Sequence, residues 1–226
     1  MVLRVLDALA QAEEVADCIL CGPPAEMIDT VPELRSRIDS GAVHWIPHAA
    51  TPSASAMSAF KCVPADSMVV LTTADHALLS APIVDYFCRQ AKASGCDLVA
   101  GLASHAATVA RYPGMRRTKT RFRDGPYCGC NLYAFLTAGS RVAADVWRRV
   151  EHQRKHPLKM IGELGWLTAL RYGLGILSLQ DALGLISRRL MVRAGAVILP
   201  YPEAAVDVDS VADWHFAQAI ATRTPS

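Results

Sequence analysis

Asp75 ends the most apolar stretch of the chain, Ser67-Met68-Val69-Val70-Leu71-Thr72-Thr73, and is followed by His76-Ala77-Leu78-Leu79. Ligands of open α/β sheets collect outside the carboxyl ends of the strands, which is where this spacing puts the carboxylate. An acid there suits Mg²⁺, which takes one or two carboxylates together with substrate phosphates; it also suits a helix N-cap. A second acidic feature is Asp207-Val208-Asp209. On an extended segment residues i and i+2 share a face, so the pair reads as a second half of a divalent-cation site. Ser210 caps the helix that follows, and one of the acids serves equally well as a charge at that helix start.

The third feature is basic. Arg111, Arg116, Arg117, Lys119, Arg121 and Arg123 precede the first acid, Asp124. On a strand Lys119, Arg121 and Arg123 share a face, which suits a phosphate-bearing ligand or, equally, a solvated surface. Tyr112 and Phe122 form no stacking series, so nucleic acid is not the expected partner. Gly129-Cys130-Asn131 combines a residue that lets a ligand approach the backbone with a side chain that both donates and accepts; a bulge is the plain alternative.

Other patterns fail on geometry. Cys18 and Cys21 point to opposite faces of a strand and share no metal, and Cys128 with Cys130 lacks a second pair. His152 and His156 stand one helical turn apart among Arg154, Lys155 and Lys159, where helix-end cations explain them better than zinc. No G-x-S-x-G, Walker A or G-x-G-x-x-G is present.

These residues need positioning elements, and the hydrophobic pattern supplies them. Strands are expected at 18–21, 43–46, 67–73 and 98–101, with helices at 32–37, 53–63 and 83–92 between them. That alternation predicts an α/β domain with a mixed, mostly parallel sheet. The second half brings a hairpin, 119–123 and 128–135, around Asp124-Gly125-Pro126. Helices at 141–155, 160–172 and 179–190 follow, then strands 192–199 and 205–208 and a last helix, 211–221. Leu164, Leu167, Leu170 and Leu174 recur at helical spacing and are expected in the core rather than at a partner or membrane surface. No linker divides the 226 residues, so one domain is expected.

Composition sets the outer bounds. With 52% hydrophobic and 19% charged residues the chain is no disordered tail, and a net charge of +2 gives no global attraction to nucleic acid. Apolar runs fall short of the roughly 18 residues a membrane span needs, and Asp7 interrupts any secretion signal. Seven cysteines, an odd number, read as reduced thiols of a cytoplasmic protein.

Taken in order, these motifs resemble the MobA-like nucleotidyltransferases. Val70–Leu79 is similar to that family's "strand, Asp, x-Pro-Leu" metal motif, with Ala77 in place of Pro. Pro52-Ser53-Ala54-Ser55 resembles its small-residue nucleotide loop. Val206–Trp214 resembles the terminal D-x-D-T-P-E-D-L signature, with Ser210 and Val211 for Thr-Pro, and Gly129–Leu132 resembles the acceptor-side strand. The resemblance implies a three-layer α/β/α fold of GT-A type. It also implies transfer of NMP from an NTP to a phosphorylated small-molecule acceptor, with release of pyrophosphate. Asp75 and Asp209 would hold Mg²⁺ (or Mn²⁺), and Ser53, Ser55, Thr73 and Ala74 would meet the nucleotide. Lys119, Arg121, Arg123, Gly129 and Asn131 would meet the acceptor or pyrophosphate.

The family opens with a strand and a Gly-rich loop carrying a Lys, which hold the triphosphate. Met1–Leu6 resembles the helix after that loop. The missing strand is central in such a sheet, between 18–21 and 69–73. The native chain is therefore expected to start upstream and to run to about 250–260 residues. A nucleotide- or sugar-phosphate-binding protein without catalysis is the alternative. Neither the base, the acceptor nor the oligomeric state is set by these residues.

Overall fold

A computed structural model describes residues 1–113, 118–150 and 166–221. The first half contains α1 (Val2–Gln11), β1 (Ile19–Cys21), α2 (Ala25–Ile28), α3 (Pro32–Asp39), β2 (His44–Ile46), α4 (Pro52–Phe60), β3 (Val69–Leu71) and α5 (Ala81–Ala93). Then come β4 (Leu98–Ser104), α6 (His105–Arg111), β5 (Thr120–Phe122), β6 (Gly125–Phe135) and α7 (Ala138–Val150). The last described stretch holds α8 (Trp166–Gly173), α9 (Leu179–Leu190), β7 (Ala194–Leu199), a 3₁₀ helix (Pro202–Ala205) and α10 (Val211–Ala221).

Local chemistry explains several boundaries. Thr51 caps α4 by accepting from the Ala54 N–H, and Pro52 opens that helix, where its missing N–H costs nothing. Ser178 caps α9 in the same way. In α5 Ile83, Val84, Phe87, Cys88 and Ala91 are buried, one stripe at helical spacing.

In the main sheet β3, β6, β4 and β7 pair in that order, and β5 also pairs with β6. β6 is antiparallel to β3, β4 and β5, and β7 is parallel to β4, so β6 alone runs backwards. α1 and α5 cover the face that carries Val99, Ala103, Cys128, Cys130, Leu132 and Ala134. Alternation sends Phe135 to the other face, where Phe60 of α4 meets it edge-on at 4.8 Å. Helices on both faces of a mixed sheet give the expected fold class.

β1 and β2 form a separate parallel pair. The two sheets nevertheless share their helices. Leu6 of α1 packs with Ile28, Leu34 and Val43 of the small sheet's cluster, whereas Val5 and Ala8 pack into the main core. On the opposite side α4 touches β1, where the Cys21 Sγ–H donates to the Ser55 carbonyl, and reaches β6 through Phe60. Each of β1 and β3 is paired along one edge among the described residues. Both strands are half-buried throughout, unlike β4, where every second residue is buried.

Several expectations need correction. The strand expected at 205–208 is absent: Pro202 starts a 3₁₀ helix through Ala205, and residues 206–208 join no strand ladder among the described residues. Leu167, Leu170 and Leu174 are exposed rather than in the core. Spacing shows that they share a face, but not which way the face looks. Helix α6 was not anticipated. Leu164, Arg116, Arg117, His152 and His156 lie outside the described residues. All seven cysteines are free thiols; Cys88, Cys128 and Cys130 are buried, Cys18, Cys21 and Cys96 are half-buried and Cys62 is exposed, and burial pushes Cys88 up to about 11.

Candidate functional site

The pairing pattern of β6 builds the site. Tyr133 pairs with Leu71 of β3 on one side and Ala100 of β4 on the other. Tyr127 pairs with Ser104 of β4 and with Thr120 of β5. β3 and β5 therefore lie along the same edge of β6, end to end. Between them, opposite Cys128 to Leu132, that edge carries no strand partner among the described residues. The result is a notch in the sheet. Its floor is Gly129-Cys130-Asn131, and the carboxyl end of β3 leads into it.

The floor is distorted on purpose. From Ala100 to Leu102 β4 advances two residues while β6 covers four, from Tyr133 to Gly129. The surplus is a bulge, and within it Asn131 takes the left-handed conformation, φ +48°. Asn tolerates that conformation better than most side chains. Gly101 faces the bulge: a Cβ there would lie 3.1 Å from Leu132 Cβ, a tight contact that glycine avoids. The distortion sends the Asn131 Nδ2–H₂ to Asp207 Oδ2, at 3.0 Å.

The two acidic segments meet here. The Asp75 carbonyl accepts from the Ala77 N–H at 2.8 Å and from the Val208 N–H at 3.1 Å. This last bond pins the segment after the 3₁₀ helix against the end of β3. The Asp75 carboxylate accepts a short hydrogen bond from the Thr73 hydroxyl. His76, almost wholly buried, sets its Nδ1 3.3 Å from the Thr72 hydroxyl. Arg4 of α1 donates to the Ala77 carbonyl at 3.3 Å, so the first turn of α1 lies beside the same loop. Asp207 is half-buried against Asn131, and Asp209 is exposed beyond it.

The basic residues divide. Lys119 precedes β5 at its notch end and Arg121 is the strand's middle residue, opposite Pro126, whereas Arg123 lies past the strand in the hairpin turn. Its backbone N–H donates to the Leu177 carbonyl, and its charge acts on Asp181. The three therefore do not form one face as expected. Phe122 points toward the helical block, with Leu177, Ala182 and Tyr172.

Ser53 and Ser55 are buried at the start of α4. The Ser53 hydroxyl lies 3.0 Å from that of Thr51, and Ser55 accepts from the Ala49 N–H and donates to the Thr51 carbonyl. They shape that loop from within. Ala74 is exposed and Thr73 half-buried, both beside Asp75.

Asp75, Asp209 and the Asn131–Asp207 pair offer oxygen ligands and no sulfur, a donor set that fits a hard cation completed by substrate phosphates. Among the described residues no group of three or more His, Cys, Asp or Glu side chains forms a metal cage. Sequence reasoning missed the Asn131–Asp207 bond, because it depends on a bulge.

No family model matches the chain, and no curated relative does. Solved structures do. A 4-diphosphocytidyl-2C-methyl-D-erythritol synthase from Anaerococcus prevotii matches with TM-score 0.57 and 14% identity, over 98% of this chain and 86% of its own. A cytidylyltransferase from Leptospira borgpetersenii matches with TM-score 0.56 and 12% identity, over 98% of this chain and 75% of its own. The fold is thus one used by nucleotidyltransferases. A hypothetical transferase from Thermus thermophilus is 30% identical, with TM-score 0.74, over 94% of this chain and 85% of its own. The chain belongs to the same transferase family as that protein.

Asn131→Ala should cost about 2–4 kcal/mol in urea unfolding, from the left-handed backbone and the lost charge-assisted hydrogen bond together. Asn131→Gly should recover about 1 kcal/mol of that, because glycine adopts the conformation freely. Equal losses in the two variants would mean that the bulge does not impose the backbone state.

Proposed function

We propose that the protein is a Mg²⁺-dependent nucleotidyltransferase that moves an NMP from an NTP to a phosphorylated small molecule and releases pyrophosphate. The observation that carries this reading is the Val208 N–H to Asp75 carbonyl bond, which joins two acidic segments of distant sequence at the mouth of the notch. Bound there by Asp75 and Asp209, a divalent ion (Mg²⁺, or Mn²⁺) supplies charge neutralisation on the phosphates.

The chain's own residues do the positioning. Thr73 orients the Asp75 carboxylate, and Asp207 fixes Asn131, which holds the acceptor over the floor of the notch. Gly129 lets the acceptor approach the backbone. Thr73 and Ala74 line the nucleotide's side, with Ser53 and Ser55 keeping their loop in shape. Lys119 and Arg121 hold the acceptor phosphate or the departing pyrophosphate, with Arg123 more remote. An acceptor phosphate oxygen attacks the α-phosphorus in line; that P–O bond forms as the α–β bridging P–O bond breaks, and its electrons leave with pyrophosphate.

Nucleotide or sugar-phosphate binding without turnover is the second reading, favoured by the division of the sheet. That division also supports a proposal about the domain. Among the described residues β1 and β3 each have one unpaired edge, and α1 and α4 contact both sheets, so an extended segment preceding α1 would have two strand edges to pair with. Its carboxyl end would lead directly into α1, whose first turn already sits beside Ala77. Such a segment would cover β1 and β3, two apolar strands that are only half-buried. Intact-mass measurement of the protein from its native source should give more than 24.4 kDa. A native mass of 24.4 kDa would remove this part of the account.

One NTP, at a concentration a hundredfold above its Kd, should raise Tm by about 5–10 °C with Mg²⁺ present, and by much less without it. Asp75→Asn and Asp209→Asn should erase the Mg²⁺-dependent part while leaving the Tm of the free protein nearly unchanged. Stabilisation equal with and without Mg²⁺ would favour the binding protein over the enzyme.

A further inference from the structure

The outer edge of β7 takes no part in the chemistry of the notch. β7 lies at the end of the main sheet and pairs with β4 alone among the described residues. The Leu98 N–H donates to the Arg193 carbonyl at 3.1 Å, which fixes the direction of every later group in that ladder. Backbone polar groups alternate from side to side along a strand. Gly195, Val197 and Leu199 therefore turn theirs toward β4, and Ala194, Ala196 and Ile198 turn theirs outward. The Ala194 N–H is taken, since it donates to the Ser187 hydroxyl of α9 at 2.9 Å. The N–H and carbonyl groups of Ala196 and Ile198 find no partner among the described residues.

Nothing along this edge repels another strand. Natural sheet edges are blunted by charge, proline or a bulge. Ala194-Gly195-Ala196-Val197-Ile198-Leu199 carries no charge and no proline, and its ladder with β4 runs without a shift in register. A groove of about 250 Å³ lies open beside it, between the strand and Tyr86, Gln90 and Ala93 of α5. Ile198 is 40% exposed on the face away from α5, although Val197 and Leu199 on either side of it are buried.

We propose that β7 pairs antiparallel with β7 of a second copy of this chain, about a two-fold axis at Val197, so that two main sheets join into one. In that register Ala196 lies opposite Ile198 of the second copy, and Ile198 opposite its Ala196. Both residues turn their polar groups outward, so each pair exchanges two hydrogen bonds and every open group of the edge is used. The side chains complement each other as well, a large Ile198 beside a small Ala196 on both sides of the axis. One step further along, Ala194 would face Pro200. Proline has no N–H to give and that of Ala194 is held by Ser187, so the ladder stops where its donors stop. This reciprocity about one point is the mark of an isologous contact, and it selects a copy of the chain over an unrelated strand. A ladder this short makes a small interface, with a Kd on the order of 10 µM.

Analytical ultracentrifugation of the full chain should show its mass rise with concentration from 24.4 kDa toward twice that value. Over the same range, hydrogen exchange at the Ala196 and Ile198 amides should slow roughly tenfold or more, because those N–H groups meet solvent in the monomer and carbonyls in the dimer. Ile198→Lys and Ala196→Pro should each keep the protein monomeric with the Tm of the dilute wild type, since one changes an exposed side chain and the other removes an outward N–H. Leu167→Ser, on the exposed face of α8, should leave association unchanged. Val197→Cys should form a disulfide-linked dimer on mild oxidation, because residues on the axis face each other with Cα atoms about 4.5 Å apart. Wild type, with its exposed Cys62, sets the background for that measurement. A protein that stays monomeric throughout, a dimer that survives both Ile198→Lys and Ala196→Pro, slow exchange at 196 and 198 already in the monomer, or no cross-linking above background would overturn the proposal. None of these readouts depends on nucleotide, so failure of the transferase reading leaves them intact.

Discussion

The hydrogen bond from the Val208 N–H to the Asp75 carbonyl is the constraint on which the site depends. It closes a loop of more than a hundred residues, a costly contact in entropy, and so needs support from packing. Val206, Ala204 and Ala205 are fully buried just before it, and Ala77 and Leu78 lie in the same cluster as Val206 just beyond Asp75. With both flanks buried, the bond forms in a place where an unpaired amide would cost about 1–3 kcal/mol. Asn131 then adds a third anchor through Asp207, from a strand that shares no sequence neighbourhood with either segment. Three remote parts of the chain are held at one point by backbone and amide geometry, before any ligand arrives.

The notch is the complement of that constraint. A continuous strand beside β6 would have paired its whole edge. Instead β3 ends at Leu71 and β5 begins at Thr120, and the bulge at Asn131 falls in the interval. Gly101 leaves Leu132 room beside the bulge. The same strand economy is visible at the other edge of β3, where the sheet divides. There α1 and α4 hold the two pieces in register through Leu6, Val5, Ser55 and Phe60, so the helices span what the strands do not.

Much of this was readable from residue types. Asp75 is located by a β-branched run that stops at two threonines, and the β-α alternation fixed the class of fold. What was not readable depended on geometry that only pairing reveals. Ala205-Val206-Asp207-Val208 imitates the alternation of a strand, yet Pro202 favours a 3₁₀ turn and leaves the segment no partner edge. Leu167, Leu170 and Leu174 share a helical face that looks outward. Arg123 follows Arg121 by the strand period, but the hairpin turn has already taken it out of the strand. Helix α6 had a legible signal, Ser104 as a cap ahead of His105-Ala106-Ala107-Thr108.

The central claim is that the end of β3, the floor of β6 and the segment around Asp207 form a single cation-dependent site. Paramagnetic mapping tests it most directly: Mn²⁺ titrated into ¹⁵N-labelled protein, with broadening read amide by amide. The account predicts the earliest loss of signal at residues 72–76, 129–131 and 206–209 together. Asp29 and Asp39, an acidic pair already engaged by Arg35 on the surface of α3, should respond late. Early broadening around Asp29 and Asp39, or at one of the three segments without the others, would contradict it.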